Sequence, residues 1–171
     1  MRRMALFLAM AGAACAQGTS VAGDVKLTYQ QVKGYILKAA DMMSEENYSF
    51  KPTPDVRSFG QLVGHIADAQ YAFCSSALGD DPKAMGVEKS KTSKTDLTAA
   101  LKEAFTYCDG AYEKMTDDNA GEAVKLFGRS RTRAGALAFN NAHDYEHYGN
   151  IVTYMRLKGM VPPSTPTGGR R

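Results

Sequence analysis

The sequence contains no tryptophan and only three histidines and three cysteines in 171 residues. No Cys-x-x-Cys spacing occurs, so neither a thiolate zinc site nor a dithiol redox motif is supported. Charge of one sign is scarce: the formal net charge is +3, and +1 once Arg2 and Arg3 are removed with a leader. A near-neutral domain has no electrostatic footprint for nucleic acid, and the short basic run RSRTR, residues 129–133, reads as a solvated loop. Long apolar runs are missing too. ALFLAMAGAA, residues 5–14, falls well short of the roughly 20 residues that a membrane-spanning helix needs. Glycine is scattered, and no internal repeat of roughly 20–50 residues appears. What remains is the length of one compact domain with an ordinary apolar fraction of 44%.

The N-terminus reads as an export signal. Arg2 and Arg3 precede the short apolar run, and Ala14-Cys15-Ala16 places small residues where a signal peptidase cuts. Residues 1–16 are therefore expected to be a leader, 17–161 the folded domain and 162–171, PPSTPTGGRR, a mobile tail. The expected location is periplasmic or secreted. A lipoprotein acylated at Cys15 would have Gly12 where leucine is usual, the arginine pair also fits twin-arginine export, and a frayed cytoplasmic N-terminus is the plain alternative. Export would permit a disulfide between Cys74 and Cys108. The helical reading below, however, sets them on different faces and at different heights, so the expectation is that they do not pair.

Apolar residues recur at helical spacing in four segments. Residues 24–43 carry Val25, Val32, Tyr35, Ile36 and Ala39. Pro52 and Pro54 break the run that follows. Ser58 with Gln61 forms a capping-box pattern, and Leu62, Ile66, Ala69 and Phe73 carry a second helix to about Leu78, where Gly79 stops it. Residues 80–94 are polar and aperiodic and read as a crossover loop. With Thr95 as its N-cap, a third helix presents Leu97, Leu101, Ala104, Cys108, Ala111 and Met115 as a bundle seam. Residues 117–133 are irregular, with a short extended segment within AVKLFGRSRTR; a fourth helix starts near Arg133, and Gly159 closes it after about Lys158. The fold class expected is all-α, a four-helix bundle.

Two of the three histidines, His143 and His147, stand one turn apart on the fourth helix. With His143 set at 0° on a wheel of about 100° per residue, His147 falls near 40°, Ala136 and Tyr154 near 20° and Ile151 near 80°. The pair therefore shares the apolar stripe. Each imidazole needs a partner there, because an unpaired buried polar group costs roughly 1–3 kcal/mol. A single core histidine is ordinarily satisfied by a hydrogen bond; two at i and i+4 converge on one ion. His65, at the border of the second helix's stripe, can complete a three-imidazole set. Such a set suits one divalent transition metal, zinc or nickel first and iron, manganese or copper after them, and leaves a coordination position open. HDYEH also fits the H-x-x-E-H pattern of inverted zinc peptidases, but those draw an acidic ligand from a helix well downstream, and only a short proline-rich end follows His147. Glu146 stands within reach for a bond to a ligand ring or for proton transfer, with a surface glutamate as the plain alternative. Asp68 is a further candidate to support a ring. Asn150 and Tyr154 lie where they can orient a substrate; Tyr148 reads as packing or surface, and Asn140 as a cap on a neighbouring helix rather than a ligand contact.

SFGQLVGHIADAQYAF with His65, HDYEHYGNIVTYMRLKGMVPPS with His143 and His147, and the apolar seam between them together resemble the DinB family, the damage-inducible or YfiT-like group. The resemblance spans roughly residues 25–164. It implies a four-helix bundle, often a homodimer, with a divalent metal held at one end by His65, His143 and His147. It also implies activation of a low-molecular-weight thiol for transfer or isomerisation; a metal that activates water instead would give a hydrolase of a small molecule. An exported member departs from the cytoplasmic setting of such thiols. A non-catalytic metal- or small-molecule-binding bundle is the alternative function, and a bundle with merely hydrogen-bonded histidines is the third.

Overall fold

A computed structural model describes residues 20–166; the expected leader and residues 167–171 lie outside them. Four long helices form the frame: α1 (Val21–Met42), α2 (Phe59–Leu78), α4 (Lys94–Lys114) and α5 (Arg133–Leu157). A four-residue helix, α3 (Val87–Ser90), interrupts the crossover between α2 and α4. A hairpin of β1 (Ala123–Leu126) and β2 (Arg129–Thr132) precedes α5. The expected all-α four-helix bundle is therefore the fold. No helix among the described residues is long and apolar enough to cross a membrane.

Local chemistry explains the helix ends. Ser58 accepts a hydrogen bond from the Gln61 backbone N–H while the Gln61 side chain accepts from the Ser58 N–H, a reciprocal cap. Gly79 ends α2 in the left-handed conformation at φ 76°. The third long helix starts slightly earlier than Thr95 suggests, because Ser93 rather than Thr95 accepts from the N–H three residues on, at Asp96. The short tail after α5 begins folded: the Ser164 N–H donates to the Tyr148 hydroxyl at 3.0 Å, and Pro162 is buried.

Two expectations fail in the core. Cys74 on α2 and Cys108 on α4 are joined by a disulfide, with Cα atoms 5.2 Å apart. The wheel centred α2 on Leu62, Ile66, Ala69 and Phe73; in fact Val63, Ala67, Gln70 and Cys74 share the buried sector that packs on α4, which brings the two sulfurs together. On α5, the centre of the buried face lies nearer 100° than 20°, at Leu137, Asn140, Asp144 and Met155. Phe139, near 320° on the wheel, is 40% exposed. Three polar residues, Asn140, Asn141 and Asp144, occupy that face and disguise it as wet. Hydrogen bonds tie them to neighbouring helices, although Asn140 Oδ1 and Asp144 Oδ2 are buried without a partner. Gln70 Nε2 donates to Asp144 at 2.6 Å, and Asn140 Nδ2 donates to Gln70 at 3.0 Å and to the Tyr112 hydroxyl at 3.1 Å. Burial raises the Asp144 carboxyl well above its usual range, with the Gln70 hydrogen bond partly opposing.

Candidate metal centre

The shift in the buried face moves the histidines to the edge of the core, where a site can be reached. His147 is buried, His143 and His65 are half-buried. The helical period brings His147 Nε2 to 3.0 Å from His143 Nε2, and α2 delivers His65 Nε2 to 3.2 Å from the same atom. One ligand-capable nitrogen from each ring lies within 4.8 Å of the others. Zinc–imidazole bonds of about 2.0–2.1 Å with tetrahedral angles place two donors about 3.3 Å apart, so the spacing fits one shared ion. Each neutral ring has a single N–H, so three facing Nε2 atoms cannot all be satisfied by one another. A metal satisfies all three lone pairs.

The electrostatics favour the form that binds. Burial pushes the His143 imidazole down to about 3, and the neighbouring His147 and His65 rings add to the shift. Burial likewise pushes His147 down to about 4, with His65 adding and Glu146 partly opposing. An unperturbed imidazole, near 6.5, would compete with protons for metal in mildly acidic solution; these two rings stay neutral well below that. The same shifts set a stability trend in metal-free protein. The unfolded rings take up protons from about pH 6.5 downward while the folded rings refuse them. Stability from this source is complete above about pH 6.5 and is lost as pH falls toward 4 and then 3. The urea midpoint of metal-free protein is expected to fall between pH 7.5 and pH 5, and to fall less in His143→Ala/His147→Ala. Equal drops in both proteins would contradict the assignment.

One supporting residue is invisible in the sequence. Glu88 on α3 faces His65, with Oε2 3.2 Å from Nδ1, and Arg57 Nε donates to its other oxygen at 2.9 Å. A carboxylate on Nδ1 fixes the tautomer that leaves Nε2 free to bind. Asp68 does not support a ring; it accepts the Val87 and Glu88 backbone N–H groups at 2.8 and 3.0 Å, capping α3 and fixing Glu88 in place. Gly64 makes room for this: a Cβ there would stand 2.7 Å from the Glu88 Cα. Nδ1 of His143 and of His147 is buried without a protein partner. Glu88→Ala is therefore expected to weaken metal affinity about 10–100-fold while unfolding remains cooperative. Chelator competition reads this directly; unchanged affinity would remove Glu88 from the site.

The remaining sequence candidates divide. Glu146, Asn150 and Tyr154 line a cavity of about 730 Å³ that reaches His147, with Arg57 and Lys51 on its other wall. Glu146 and Asn150 are exposed. Tyr154 is committed: its hydroxyl donates to the Arg57 carbonyl at 2.7 Å, so it pins the segment carrying Arg57 rather than offering a free donor. Tyr148 packs against Tyr35 and Asn140 lies in the buried network.

The family model of the DinB superfamily matches residues 28–151. The uncharacterised protein YjoA of Bacillus subtilis strain 168 is 26% identical over 123 residues, which are 70% of this chain and 79% of YjoA. A DinB-like protein of Bacillus cereus ATCC 10987 superposes with a TM-score of 0.73 at 18% identity, covering 84% of this chain and 97% of that one. YfiT of Bacillus subtilis, described as a probable metal-dependent hydrolase with an unusual four-helix bundle topology, gives a TM-score of 0.62 at 15% identity, covering 81% of this chain and 88% of YfiT. The match takes in α2, α3, α4, the hairpin and all three histidines, and the chain belongs to the DinB superfamily.

Proposed function

We propose that this protein is a divalent-metal-dependent hydrolase of a small molecule, working outside the cytoplasm. The observation that carries the reading is the convergence of three imidazole nitrogens beside two cavities large enough for a ligand. His65, His143 and His147 hold the ion, and their neutral imidazoles suit zinc or nickel. When bound, the metal supplies Lewis-acid activation of water or of a substrate carbonyl. Glu88 keeps the His65 ring aligned, and Arg57 keeps Glu88 aligned. Glu146, on the wall of the cavity that reaches His147, accepts and returns a proton as water adds and the leaving group departs. The buried disulfide and the leader-like N-terminus support export. They also disfavour the thiol-transfer chemistry of the family resemblance, which draws on reduced intracellular thiols.

The test is a panel of small aryl esters and amides turned over by zinc- and nickel-loaded protein, with and without chelator. Hydrolysis that chelator abolishes is the expected result. Turnover only with an added low-molecular-weight thiol would replace hydrolase by transferase, and stoichiometric metal with no turnover of either kind would leave a binding protein.

A further inference from the structure

The second cavity, of about 540 Å³, is lined by His65 and His143 rather than His147, shares Glu88 with the first, and has a different character. His65 and His143 line it together with Phe73, Phe127 and Phe139. The Phe73 ring stands edge-on to Phe127 at 5.3 Å and to Phe139 at 5.4 Å, and lies 5.4 Å from the His143 ring. Phe127 is 66% exposed and Phe139 40% exposed, so the aromatic shelf is open to solvent.

Phe127 is held there at a cost. It is the first residue of the two-residue turn between β1 and β2, at φ 49°, followed by Gly128 at φ 76°. A hairpin turn with both residues at positive φ favours asparagine, aspartate or glycine at the first position. A bulky aromatic in that conformation is an outlier that gives up turn stability, and at 66% exposure its contact with Phe73 recovers only part of what full burial would give. The chain thus spends local stability to set an apolar ring at the mouth of a cavity leading to the histidines.

The rim carries two carboxylates and two lysines, but only the carboxylates are engaged by hydrogen bonds within the fold. Asp68 is occupied by the α3 backbone, and Glu88 by Arg57 and His65. Lys83 and Lys89 line the opening, and neither forms an ion pair among the described residues. The Lys83 ammonium rests 4.3 Å over the Tyr107 ring, a contact it can exchange for an anion.

From this geometry we infer that the cavity is the substrate-recognition subsite, taking an anionic small molecule with an aryl or branched-alkyl body, and that Phe127 is its specificity-determining residue. This rests on the hydrolase reading for the placement of the reacting group at His65 and His143. The apolar body lies on the Phe73–Phe127–Phe139 shelf, and the anion meets Lys83 and Lys89. The volume suits a small ligand rather than a protein segment.

Calorimetric titration of zinc-loaded protein with 4-phenylbutyrate, 4-phenylbutanamide and butyrate tests this. Phenylbutyrate is expected to bind at least tenfold tighter than either partner molecule, which lack the charge or the ring. Phe127→Asn separates function from folding, because asparagine suits the turn: the unfolding midpoint should hold or rise while phenylbutyrate affinity falls about tenfold. Lys83→Gln/Lys89→Gln should bring phenylbutyrate down to the level of the amide and leave the amide unchanged. Full affinity in Phe127→Asn would overturn the aromatic assignment. A carboxylate preference that survived in the lysine variant would overturn the anion assignment. Metal uptake, measured separately, keeps the two readings apart. A parent protein that takes up no zinc or nickel yet binds phenylbutyrate through Phe127 would retain the subsite and sink the hydrolase; metal uptake without Phe127 dependence would do the reverse.

Discussion

His143→Ala is expected to cost metal affinity about 10²–10³-fold and to leave the metal-free fold intact. The first part follows from ligand count. Structural zinc sites gain roughly 10–16 kcal/mol from four ligands, or about 2.5–4 kcal/mol each. His143 Nε2 is also the atom that both other rings face, at 3.2 and 3.0 Å, so its loss opens the middle of the set. The second part follows from packing. The ring is half-buried at the edge of the core, and the buried face of α5 through Leu137, Ile151 and Met155 is untouched. In the metal-free protein the truncation even relieves three facing lone pairs. Thermal unfolding checks both halves at once. Zinc at a thousand times its dissociation constant should stabilise the parent by about 4 kcal/mol. It should do far less for His143→Ala, and the two metal-free proteins should unfold within about 1 kcal/mol of each other. A variant that zinc stabilised as strongly as the parent would remove His143 from the site.

Removing the Cys74–Cys108 disulfide is expected to have the largest effect on stability alone. The bond closes a loop across a sequence separation of 34 residues, and cross-links of that size stabilise by roughly 3–4 kcal/mol through the unfolded chain. Both cysteines are fully buried between α2 and α4. Cys74→Ala/Cys108→Ala should therefore lower the melting temperature by roughly 10 °C in a domain of this size. The site should survive, because the histidines are placed by α2 and α5 independently of the cross-link. A fall of less than about 2 °C, or two titratable thiols in the non-reduced parent after denaturation, would contradict the pairing.

The frame was legible because its signals are local. Ser58 with Gln61, Gly79 and Gly159 mark helix ends by chemistry within a single turn, and the i, i+4 histidines align on any α-helix. What escaped was decided between elements. Cys74 and Cys108 meet because α2 is buried over a wider sector than a single stripe. The true centre of α5 holds Asn140 and Asp144, which look solvated until Gln70 and Tyr112 arrive from other helices to bond them. Glu88 lies in a four-residue helix too short to show periodicity, within a lysine-rich run, and only the Asp68 cap brings it to His65. The strained Phe127 likewise needs the hairpin before its backbone conformation has meaning.

The central claim is that His65, His143 and His147 grip one ion. Its most direct test is the metal content of untagged protein, measured by elemental mass spectrometry after purification and again after incubation with zinc or nickel and removal of the excess. The account predicts close to one transition-metal ion per chain, lost in His143→Ala/His147→Ala. No bound metal after loading would leave three imidazoles that merely hydrogen-bond to one another and would contradict the account.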